Sequence, residues 1–131
     1  MKKLVLASAL SLLICMSVSA GQGVYGTWLL PPMQQGALSF NVSITIEDGS
    51  LTMTNVCALN GQSSQAQVKV PSTMAGNFIT VLQPGNDHQT RNGVECSINI
   101  APSSMSYSLS PDEMNLTLTM AGQPALVLHR K

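Results

Sequence analysis

Few side chains in this 131-residue sequence could do chemistry. It has three cysteines, two histidines and eight methionines, and only 9% of the chain is charged. Cys15 lies in an apolar N-terminal run, which leaves Cys57 and Cys96. Neither belongs to a C-x-x-C pair and neither has a histidine nearby, so the residues favour a disulfide over a metal site or a reactive thiol. Such a bridge closes a loop of about 40 residues, a constraint of about 4 kcal/mol by chain entropy. His88 sits in the polar stretch "GNDHQTRNG" beside Asp87 and near Arg91; His129 neighbours Arg130. Hydrolysis or metal binding needs convergent partners. None is visible, so His88 reads as a loop residue and His129 as exposed or at an end of the fold.

Other signatures of catalysis are missing from the sequence. Serine is abundant, but there is no G-x-S-x-G elbow and no glycine-rich phosphate loop ahead of a helix. The acidic pairs Glu47-Asp48 and Asp112-Glu113 sit in turn-like stretches, where they form turns and solubilise. Thioethers favour Cu(I), yet the methionines are dispersed with no M-x-M cluster. Met53, Met105, Met114 and Met120 fall on strand positions and read as core filler. "NVS" at Asn41 and "NLT" at Asn115 match the glycosylation pattern, but both lie in predicted strands and the N-terminus has a bacterial look, so no glycan is expected. No catalytic residue, metal or cofactor is assigned.

The elements that must position these residues are strands. "LSFNVSITI" alternates Leu38, Phe40, Val42, Ile44 and Ile46 against Ser39, Asn41, Ser43 and Thr45, a period of two. "EDGS" supplies a turn, and "LTMTNVC" resumes the alternation. "VECSINI", "MSYSL" and "MNLTLTM" continue it, and "VYGTWLL", "AQVKV", "NFITVL" and "ALVLHRK" complete nine candidate strands. Proline, glycine and polar clusters such as "LPPMQQG" and "QPGNDHQTRNG" separate them. No helical stripe is sustained. Short, regular connections predict an all-β, antiparallel up-and-down meander that closes into a small barrel of eight to nine strands with one disulfide. Closure also removes exposed edges.

The N-terminus reads as a secretory signal peptide over residues 1–20. "MKK" is basic, Leu4 to Met16 is apolar, and Val18 and Ala20 are small residues at the −3 and −1 positions. The run is shorter than the roughly 20 apolar residues of a spanning helix. Cleavage leaves residues 21–131 as a single domain in the periplasm or outside the cell. The mature chain carries four basic and six acidic residues, so no basic stripe invites nucleic acid or an anionic membrane.

The one tryptophan, Trp28, follows Gly26-Thr27 on the first strand. Gly26-x-Trp28 resembles the G-x-W signature of the calycins, the lipocalin-like barrels, and the small bacterial members in particular. There is some resemblance to periplasmic metalloprotease-inhibitor barrels as well. The resemblance implies that Trp28 plugs one end of the barrel with Arg130, from the last strand, across its ring. A guanidinium on indole is favourable by ~0.5–2 kcal/mol. It also implies a non-catalytic binding protein that holds a small apolar ligand in or at the mouth of the barrel. The alternative is a protein-interaction module, such as an inhibitor of a secreted or periplasmic enzyme. The ligand-binding residues and the oligomeric state are not legible at this level. A continuous apolar interior space of ~300 Å³ or more favours the ligand; a filled interior with an apolar rim favours the protein partner.

Overall fold

The computed structural model describes residues 23–131. The signal-peptide segment, its cleavage after Ala20 and the mature start at Gly21 lie outside the described residues. Eleven strands are present: β1 (Gly26–Leu29), β2 (Met33–Gln35), β3 (Leu38–Glu47), β4 (Ser50–Leu59), β5 (Gln62–Ala75), β6 (Phe78–Val81), β7 (Gly85–Arg91), β8 (Val94–Ile100), β9 (Ser103–Leu109), β10 (Asn115–Thr119) and β11 (Leu126–Arg130). No helix occurs among the described residues.

Eight strands close an antiparallel barrel in the order β1-β3-β4-β5-β6-β9-β10-β11, with β11 returning to β1. The expected closed meander is therefore the architecture. Alternation explains the wall. On β5 the buried residues Ser64, Ala66, Val68, Val70 and Ser72 point inward while their neighbours face solvent. Asn60-Gly61 turns β4 into β5 with both residues at positive φ, 52° and 80°. That is the geometry of a two-residue hairpin turn matched to strand twist.

Two features depart from the simple meander. First, β2 and β1 are one strand interrupted at Pro31 and Pro32. β1 pairs with β3 as Leu29↔Ser43, β2 pairs with it as Met33↔Phe40, and the register shifts by one residue between them. This is a bulge. Neither proline can donate to a ladder, so the β1–β11 pairing stops after Trp28↔Arg130 and Leu29↔His129. Leu126 to Leu128 of β11 pair only with β10.

Second, "VECSINI" is a strand but not part of the barrel wall. It forms β8 of a separate two-stranded sheet with β7, inserted between wall neighbours β6 and β9. The segment "GNDHQTRNG", read from its polarity as a loop, contains β7. His88 accordingly lies on a strand, exposed, opposite Ser97. The polarity misleads because β7 docks by its backbone and by Asp87, not by a row of apolar side chains. Gly85 lets the hairpin pass against β5, since a Cβ there would lie 2.5 Å from Val68 Cγ1 and 2.7 Å from Val70 Cγ1. The Gln67 N–H on β5 donates to Asp87 Oδ2 at 2.9 Å, which caps a wall edge that has no strand partner there. Val94, Cys96, Ile98 and Ile100 of β8 are buried. Cys96 is bonded to Cys57 on β4, with Cα atoms 5.6 Å apart.

The bridge thus fixes the inserted hairpin to the wall. Opening it with Cys57→Ser/Cys96→Ser should lower stability by about 4 kcal/mol and raise amide exchange first in β7 and β8. Denaturant unfolding and exchange measured by NMR check both. Exchange that rises evenly across all strands would remove the bridge's local role. The Gln67 N–H, with Gln89 and His88 adding smaller contributions, holds the Asp87 carboxyl below its usual range. A depressed folded value means that its stabilising effect is present above the unfolded pKa of about 3.9 and is lost as pH falls through the lower folded value. The Gln67 amide shift should follow that titration, and Asp87→Asn should abolish the pH dependence.

Candidate functional site

The two ends of the barrel differ. At the end where the chain enters the barrel and the β3–β4, β5–β6 and β9–β10 turns lie, Trp28 is fully buried. Its Nε1–H donates to the Val24 carbonyl at 2.8 Å, so the indole is buried without an unmet donor. The Arg130 guanidinium carbon lies 4.2 Å from the ring centroid. Arg130 Nε donates to the Glu113 carbonyl at 2.8 Å, Nη1 to the Tyr25 carbonyl at 3.0 Å and Nη2 to the Gly23 carbonyl. One side chain therefore ties the lead-in, the β9–β10 turn and the last strand over the tryptophan. Gly26 is required on two counts. Its φ is +128°, and a Cβ would lie 2.9 Å from Arg130 Nη1.

The other end is not plugged. A cavity of about 370 Å³ lies there between the wall and the inserted hairpin. Ile44, Leu51 and Met53 come from β3 and β4, Val81 from β6, and Ile100 from the hairpin. Met105 and Leu118 come from β9 and β10, and Met120, Gln123 and Leu126 from the β10–β11 turn region. Pro124 and Ala125 complete the lip, whose chain reverses with the Gln123 N–H on the Met120 carbonyl at 3.1 Å. Ile44 pairs in register with Trp28, so part of the cavity lining rests directly on the plugged end. Other hollows reach 410 Å³ beside Tyr25 and Asp48 and 440 Å³ beside Met33 and Phe40, but both are more open to solvent and less uniformly apolar.

The structure brings Trp28 and Arg130 together, and Cys57 and Cys96 together, at different places in the fold. Neither pair lines the cavity. Met114 and Met120, read as core filler, are 48% and 40% exposed. Each sits at a strand end, where the alternation no longer tells inside from outside. Met53 and Met105 pack against the core and also line the cavity. His129 is exposed, with Nδ1 hydrogen-bonded to Asn115 Oδ1. No group of three or more His, Cys, Asp or Glu side chains able to hold a metal occurs among the described residues. Sequence reasoning found the inward faces but not the cavity. A void arises from how far facing side chains fall short of meeting, and no single strand carries that information.

No protein-family model, curated protein or solved structure matches the chain.

The plugged end makes a measurable unit. Trp28→Ala should lower stability by ~3–5 kcal/mol, and Arg130→Ala by less, because the plug stays in place. The double variant should lose less than the sum, since the groups touch. Gly26→Ala should lower stability by ~1–3 kcal/mol through its backbone conformation, and Arg130→Ala should relieve only the steric part. Denaturant unfolding of the set decides this, and strict additivity of Trp28→Ala and Arg130→Ala would show that the two do not act together.

Proposed function

We propose that the protein is a non-catalytic binding protein of an oxidising, extracytoplasmic compartment that takes a small apolar ligand into the open end of its barrel. The observation that carries this reading is the cavity of about 370 Å³ lined almost wholly by apolar side chains. Ligand sites are concave, mostly apolar and ~300–1,000 Å³ in volume, so this one lies near the lower bound. Three of its lining residues are methionines, whose flexible thioethers adapt to ligand shape. The disulfide suits export, because such bonds persist in oxidising compartments. The calycin resemblance supports the same reading. An eight-stranded closed barrel with Gly26-x-Trp28 beneath Arg130 at one end is the arrangement that resemblance implies.

The alternative, a protein-interaction module such as an enzyme inhibitor, has exposed Leu82 and Met120 at the open end in its favour. A protein partner does not require an interior void, so the cavity favours the first reading. The uncharged fluorophore 1-aminonaphthalene should bind with enhanced emission. Met53→Trp/Met105→Trp takes up part of the space with apolar volume, and should weaken that binding roughly tenfold, ~1.4 kcal/mol, while keeping the fold, as judged by circular dichroism. Equal binding to the filled variant would place the ligand elsewhere and remove the ground for this function.

A further inference from the structure

We propose that the cavity selects uncharged lipophiles bearing a hydrogen-bonding end group, and excludes carboxylates and amines of the same length, with Gln123 reading the end group. This rests on the cavity being a ligand site. Gln123 is the only residue with a polar side chain among the described residues that line it. Its amide both donates and accepts, so it can satisfy a hydroxyl, amide or ester but cannot neutralise an ion.

The charges of the described chain are placed elsewhere. Arg130 is committed to three carbonyls and the Trp28 ring at the plugged end. Arg91 ends β7 at the tip of the hairpin, Lys69 is exposed on β5, and Lys131 lies in an outer groove beside Pro31. The acidic side chains stand on the plugged-end turns and on the hairpin. None of these lines the cavity.

Size makes this placement matter. At about 370 Å³ the cavity lies near the lower bound for ligand sites, so its ligand is small. A ligand of that size has its end group at the lip, where the partly exposed Met120, Pro124 and Leu126 take the place of part of its water. A charge there loses hydration with no counter-ion and is driven toward its neutral form.

Isothermal titration with octan-1-ol, octanoate and octylammonium tests the selection. At pH 7.5 octan-1-ol should bind roughly tenfold or more tighter than either ion, tenfold being ~1.4 kcal/mol. Below the carboxyl pKa the gap between octanoic acid and octan-1-ol should close, with octan-1-ol measured at each pH to register any titration of the protein itself. Gln123 is exposed in a turn, so its replacement spares the core. Gln123→Lys should strengthen octanoate binding at pH 7.5 and leave octan-1-ol within about twofold. Equal affinity of wild type for octanoate and octan-1-ol at pH 7.5 overturns the selectivity and leaves the ligand site standing. Binding of none of the three overturns both.

Discussion

Closure of the barrel depends on the contact between Trp28 and Arg130. The seam between the first and last wall strands has only two paired positions, Trp28↔Arg130 and Leu29↔His129. The ladder alone is a weak join, because Pro31 and Pro32 forbid its extension. The large ring fills the barrel end, and the guanidinium above it gathers three carbonyls from two other segments. The G-x-W spacing follows from this geometry. The tryptophan needs the inward position, and the residue two before it must bend to φ +128° beneath the arginine.

The same prolines that shorten the seam give the molecule its polarity. Beyond them β1 bulges away from β11, the upper part of β11 is left with one neighbour, and the wall opens. The β7–β8 hairpin packs against β4 and β5, held by a disulfide, a close approach at Gly85 and the Asp87 cap. The bridge, at about 4 kcal/mol, keeps the hairpin that carries Ile100 in place beside the cavity.

Much of the fold was legible because a half-buried strand writes its orientation in alternate residues. Leu38 to Ile46 and Val94 to Ile100 show it, and Cys96 falls on the inward face because its neighbours two residues away do. Two things were not legible. Alternation says which face is buried but not what it is buried against, so β8 looks like a wall strand although it packs inside the wall's extension. A polar strand such as β7 carries no alternation at all, because it is held by backbone and carboxylate contacts. The plugged end was visible through one tryptophan and one arginine. The cavity was not, since Met53, Met105 and Met120 have the same residue type whether they fill a core or line a gap.

The methionines also offer the most direct measurement of the central claim, that the open end holds a small apolar ligand. With ¹³C-methyl-labelled methionine, titration with octan-1-ol should shift the methyl signals of Met53, Met105 and Met120, which line the cavity. Met33, exposed on β2, and Met74, packed elsewhere against the core, should stay in place. Movement confined to Met33, or no movement at saturating octan-1-ol, would contradict a ligand site in the barrel.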